Sequence, residues 1–92
     1  MGLKQQFEQI TDYHNATRRI ALDDVSGLQT SIVERLTTAS VSAKGEQLSQ
    51  FVKIANTIKP QVIVAKAIYE PAEQRTAFGE FLDVLDKQTG GK

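Results

Sequence analysis

Residues 60–71 of the 92-residue chain have the sequence PQVIVAKAIYEP, and this stretch decides the fold. Between its two prolines the only charged or amide side chains are those of Gln61, Lys66 and Glu70. Proline lacks a backbone N–H and pushes the preceding residue out of helical backbone, yet it suits the first turn of a helix. We therefore predict that one helix ends at about residue 58 and that each proline begins a new one.

Segment 62–69 is apolar on all sides and rich in β-branched side chains, a composition that also suits a buried strand. No other part of the chain has the pattern of a strand that could pair with it. We therefore predict a short helix over residues 60–69 and keep a strand as the alternative.

Apolar residues that recur every three or four positions predict the other helices. Leu3, Phe7 and Ile10 form such a stripe near the N-terminus, and Phe78, Phe81 and Leu82 begin another near the C-terminus. The predicted helices span residues 3–22, 26–38, 43–58, 60–69 and 71–88. The fold class is all-α, a small bundle of four to five short helices in a single domain over residues 1–92.

Two helix boundaries depend on polar residues. Asp23 and Asp24 suit the start of a helix better than its end, and Ser26 begins a capping-box pattern, so we place a break at residues 23–25. The three- and four-residue spacing of apolar residues continues almost unchanged across residues 23–25, so one continuous helix is the alternative. Residues 37–42 are mostly small and polar, which predicts a loop, with Ser42 as the cap of the third helix.

Composition excludes several function classes. Eleven acidic residues balance eleven basic ones, so we expect no direct binding to nucleic acid or to an anionic membrane. The chain has no cysteine, which excludes disulfides, thiolate catalysis and cysteine-based zinc sites. The first residues lack the apolar core of a signal peptide, and no apolar run approaches the roughly 20 residues of a membrane span. We expect a soluble, cytoplasmic protein.

Catalytic and metal sites have little support in the sequence. His14 is the only histidine, and a general base needs an orienting partner and a pocket. An enzyme would have to use Asp12, His14 and Arg18, and we predict that the protein is not an enzyme. Glu8 and Asp12 lie one turn apart but lack the Glu-x-x-His motif of a di-metal bundle, so we expect no metal and no cofactor.

A helix that is apolar all round must be covered on several sides, and short neighbouring helices have their own stripes to bury. We therefore predict a non-enzymatic protein–protein interaction module, such as a small accessory, inhibitor, chaperone or assembly protein. The partner is another protein chain, either a second copy or a different protein. The predicted partner-binding residues are Val62, Ile63, Val64, Ile68, Tyr69, Phe81 and Val84. Two alternatives are that segment 62–69 is simply the central helix of a compact bundle, and that the protein is a structural subunit of a homo-oligomer or filament.

The C-terminal third also carries a family resemblance. The residues concerned are Pro60, Val62, Ala65, Pro71, Arg75, Phe78, Glu80 and Leu82. Their spacing, over 23 of the 92 residues, resembles the end of the theta subunit of bacterial replicative DNA polymerase. That resemblance implies a small three-helix accessory protein that binds and steadies a proofreading exonuclease, although this chain has an additional N-terminal helix.

Overall fold

The structure, a computed structural model, describes residues 2–89. It contains five helices and, within these residues, no strand, which confirms the all-α bundle and excludes a strand over residues 62–69. The helices are α1 (Leu3–Thr17), α2 (Leu22–Ser42), α3 (Glu46–Thr57), α4 (Pro60–Val64, continued by a π-helical turn at Ala65–Tyr69) and α5 (Ala72–Gln88). No helix among residues 2–89 has the length and apolar character needed to cross a bilayer.

The first helix ends earlier than predicted, at Thr17 instead of about residue 22. Arg18 adopts left-handed backbone, with φ 60° and ψ 20°, and its N–H donates to the carbonyl of His14 at 2.7 Å. This conformation closes helices and is normally taken by glycine, so the sequence carried no obvious stop signal. The chain turns at residues 18–21, and the predicted break at 23–25 is wrong.

The second helix is longer than predicted at both ends. It begins at Leu22, so Asp23 and Asp24 lie in its first turn, where carboxylates suit the helix dipole. Ser26 lies inside the helix and is not its cap. The loop predicted at residues 37–42 is also wrong.

Helix α2 continues through that polar stretch with its hydroxyl groups bonded to its own backbone. The hydroxyls of Thr37 and Thr38 donate to the carbonyl oxygens four residues earlier, at 2.9 and 3.0 Å. Such bonds to the preceding turn occur within helices, although they slightly weaken them. Burial of Ala39, which continues the apolar stripe, holds this part of α2 against the core. The turn comes later, at Gly45 (φ 64°), so α3 begins at Glu46 and Ser42 does not cap it.

A π-helical turn ends the segment that follows α3. The N–H of Glu70 donates to the carbonyl of Ala65 at 2.8 Å, five residues back. In this wider turn some backbone carbonyl groups lack the N–H donor that an α-helix would provide. The carbonyl of Ala67 instead accepts a hydrogen bond from the Arg75 guanidinium at 3.4 Å. The next helix begins at Ala72, one residue after the predicted start at Pro71.

The core is formed by α1, α2, α4 with its π turn, and α5. Its largest fully buried side chains are Leu3, Phe7 and Ile10 of α1, Val25, Leu28, Ile32 and Leu36 of α2, Ile63 of α4, and Leu82 and Leu85 of α5. The rings of Phe7 and Phe78 meet edge-on, with centroids 5.0 Å apart, where α1 packs against α5.

Helix α3 stands apart from this core. Among the described helices it contacts only α2, and none of its residues is fully buried. Phe51, Ile54 and Ala55 pack against the core cluster from one side and remain half-buried. The described chain measures 42 × 24 × 22 Å, so the bundle is elongated.

Candidate functional site

The predicted partner-binding face is largely used inside the chain. Ile63 is fully buried, so it cannot contact a partner, and its inclusion in that face is wrong. Val62, Val64 and Ile68 are half-buried and pack against the core. The apolar segment after the first proline is thus mostly the central helix of the bundle, which was the alternative interpretation.

The remaining predicted residues are Tyr69, Phe81 and Val84, of which two are exposed. Tyr69, at the end of the π turn, is 72% exposed, and Val84 of α5 is 52% exposed. Phe81 is half-buried and its ring lies 6.2 Å, centroid to centroid, from that of Phe78. Of the seven predicted residues, the structure therefore leaves two exposed, Tyr69 and Val84, and four half-buried against the core, Phe81 among them.

Ala77, Phe81 and Val84 form one apolar row along the outside of α5, which we call the α5 strip. Their spacing of four and three residues places them on one face of the helix. Exposed glutamates border the strip, because Glu73 and Glu80 lie one turn before Ala77 and Val84 respectively. The strip is a short apolar surface with acidic side chains along its margin.

Leu48 and Val52 form a second apolar surface, which we call the α3 edge. They lie one turn apart and are 38% and 49% exposed. The α3 edge continues the half-buried stripe that faces α2, so the apolar face of α3 is wider than one neighbouring helix covers. Exposed Lys53 follows Val52 directly. The predicted partner-binding residues do not include this surface, although the apolar spacing of residues 48–55 is visible in the sequence.

A groove lies between α1 and α5. It has a volume of about 470 Å³ and is open to solvent. It is lined by Lys4, Phe7, Glu8, Thr11, Asp12, Asn15, Arg75, Thr76, Gly79 and Glu80. Its carboxylates and cations are mixed, and no group of three potential metal ligands occurs among the described residues.

The three residues that an enzyme would need are not gathered in this groove. Asp12 lines it, whereas His14 and Arg18 are not among its lining residues. Arg18 instead forms the turn after α1, and its side chain is exposed. The structure therefore does not bring Asp12, His14 and Arg18 together at this groove.

One charged side chain among residues 2–89 is buried, that of Asp86 in α5. Its Oδ2 accepts the N–H of Leu3 at 2.7 Å, and its Oδ1 lies 3.7 Å from Nη1 of Arg35. The same Arg35 nitrogen donates to the hydroxyl of Thr89 at 2.9 Å. This cluster joins α1, α2 and α5 and serves the fold.

Comparison with protein-family models, curated proteins and solved structures gave no match to this chain. The resemblance of residues 60–82 to the theta subunit family is therefore carried by the spacing of eight residues alone.

Proposed function

We propose that the protein is a non-enzymatic protein–protein interaction module that binds another protein chain through the α3 edge and the α5 strip. The observation that carries the proposal is that α3 is amphipathic, contacts α2 alone and buries none of its side chains completely. When the apolar face of an exposed helix is wider than the area that neighbouring helices cover, the uncovered part is typically a binding site for a partner protein.

Energetics support this interpretation. A helix of 12 residues is marginal in water by itself and depends on packing for its stability. Burial of apolar surface contributes about 25 cal/mol per Å², so a partner that covers Leu48 and Val52 would stabilise α3 and gain affinity from the same contact. Phe81 and Val84, which the sequence predicted as partner-binding residues, belong to the proposed surface. The predicted residues of segment 62–69 do not, and the α3 edge takes their place.

The experiment is affinity capture from a lysate of the native host, with quantitative mass spectrometry of the bound proteins, including untagged copies of this chain. Wild-type bait is compared with a Leu48→Gln/Val52→Gln bait. Val41→Gln is the matched control, because Val41 is 85% exposed on the outer face of α2 and belongs to neither surface.

We expect at least one protein to be captured by wild type and by the control, and to be lost from the α3-edge variant. Circular dichroism must show unchanged helix content, because all three substituted side chains are already exposed. Equal capture by all three baits would refute the proposal, as would the lack of any specific partner.

A further inference from the structure

We infer that the groove between α1 and α5 is a binding site for a small zwitterionic ligand, either a free amino acid or a short peptide. Its volume of about 470 Å³ falls within the range of roughly 300–1,000 Å³ that is typical of small-molecule sites. The groove contains no residue of the α3 edge or of the α5 strip, so this inference goes beyond the proposed function and does not depend on it.

The exposed charged side chains of the groove have no ionic partners in the fold. They are Lys4, Glu8 and Asp12 of α1 and Glu80 of α5. None of the four forms an ion pair within residues 2–89. Charges of both signs therefore line the groove and are available to a ligand.

Gly79 is a buried residue of α5 that lines the groove. A Cβ at this position would come no closer than 3.9 Å to the nearest side-chain atom, Cε of Lys4, so packing does not require glycine. Its backbone is helical, and glycine weakens the interior of a helix relative to alanine. A larger side chain at this position would occupy the groove. We therefore explain Gly79 by the space that it leaves for a ligand.

Glu8 and Asp12 are a second feature that weakens a helix at this groove. They lie one turn apart on α1, and like charges at this spacing repel each other. A ligand ammonium group bound between the two carboxylates would relieve the repulsion through charge-assisted hydrogen bonds. Two locally unfavourable features thus line the same groove, as is typical of functional sites.

Arg75 is the residue that would bind the carboxylate of the ligand. Its half-buried guanidinium donates through Nη1 to the carbonyl of Ala67 at 3.4 Å, which holds it in place and leaves its other N–H groups free. The planar fork of a guanidinium matches the two oxygens of a carboxylate. The buried ring of Phe7 provides an apolar part of the lining for the carbon atoms between the two charged groups. A ligand that carries both charges suits this mixed lining, whereas a purely cationic or anionic ligand would meet a like charge.

The experiment is an NMR titration of the isotope-labelled full chain with the free standard amino acids and with leucine-containing dipeptides such as glycyl-leucine. We expect at least one probe to shift the amide signals of groove residues such as Thr11 and Thr76, with a dissociation constant below about 1 mM. The same probe with its amino group acetylated, or with its carboxylate amidated, should bind at least about tenfold more weakly, because each change removes one charge. The set of probes that bind distinguishes a free amino acid from a peptide.

Two variants test the assignment of the site. Glu8→Gln/Asp12→Asn should raise the dissociation constant at least about tenfold. Its matched control is Glu34→Gln/Glu46→Gln, which removes the same charge at exposed positions outside the groove and should bind as wild type does. Gly79→Leu should abolish binding because its side chain fills the groove. If circular dichroism shows that Gly79→Leu has lost its helices, the first variant still decides the test, because both of its substituted side chains are exposed.

The absence of any shift at groove residues with every probe would overturn the inference. Equal binding of the blocked probes, or of the Glu8→Gln/Asp12→Asn variant, would overturn the zwitterionic class of the ligand. Neither result bears on the capture experiment with the α3-edge variant, so this inference and the proposed function can fail separately.

Discussion

The carboxylate of Asp86, near the end of α5, accepts the backbone N–H of Leu3, the first residue of α1, at 2.7 Å. The first N–H groups of a helix have no partner inside it, and a carboxylate at that end also complements the helix dipole. Gly2 precedes the helix and provides no side chain for this purpose. A residue 83 positions away in sequence therefore performs the function of a cap.

Replacement of Asp86 by alanine should lower the free energy of unfolding by about 2 kcal/mol. The buried Leu3 N–H would lose its acceptor and Arg35 would lose its neighbouring carboxylate. Urea unfolding followed by circular dichroism measures the change. The control is Asp83→Ala on the same helix, which removes an exposed pair with Lys87 and should cost less than about 0.5 kcal/mol. Equal losses in the two variants would contradict the capping function.

Two glycine-to-alanine substitutions should have opposite effects. A Cβ at Gly2 would lie 2.8 Å from Oδ2 of Asp86, whose position is held by its bond to Leu3, so Gly2→Ala should lower stability by about 1 kcal/mol. A Cβ at Gly27, inside α2, would meet nothing within 4 Å. Gly27→Ala should therefore raise stability by about 1 kcal/mol, because alanine is the better helix former. Thermal unfolding of the two variants beside wild type tests both signs.

Arg18→Gly should stabilise the protein by about 0.5–1 kcal/mol. Arg18 is the only non-glycine residue among positions 2–89 with positive φ, and glycine adopts that conformation without strain. Arg19→Gly is the matched control, since it removes the same charge from the next residue and relieves no strain. A chemical denaturation series that shows equal stability changes in both variants would mean that the backbone at Arg18 is not strained.

Arg75→Met should lower stability by about 1 kcal/mol, because it removes the donor to the Ala67 carbonyl in the π turn. Methionine keeps most of the length of the side chain, so loss of packing is small. Gln74→Met, an exposed change on the same helix, should leave the free energy of unfolding almost unchanged. If the two variants have the same denaturation midpoint, the hydrogen bond from Arg75 to the Ala67 carbonyl does not stabilise the protein.

Most of the fold could be predicted from the sequence because the apolar spacing is regular. The stripe of Leu3, Phe7 and Ile10 is buried as expected, and Pro60 begins a helix as its fixed φ requires. The helix boundaries that were predicted wrongly share one cause, because each is set by the backbone conformation of one or two residues. Arginine is rarely the residue that stops a helix in left-handed backbone, and threonines can bond back along a helix as readily as they break it.

The candidate site was harder to predict, because periodicity shows which face of a helix is apolar but not how much of it a neighbour covers. Segment 62–69 has apolar residues all round, and the bundle covers most of them. Leu48 and Val52 look like ordinary core positions in the sequence. Only the packing of α3 against a single helix shows that they remain accessible.

The peripheral position of α3 also has a consequence for motion. Because α3 is held by α2 and by the buried Ile58 that follows it, it can detach without disturbing the contacts of α1 with α5. Amide hydrogens of α3 should then exchange with solvent through a local opening whose free energy is well below that of global unfolding. Any molecule that binds the α3 edge would have to hold this helix closed, so slower exchange in α3 would report occupancy directly.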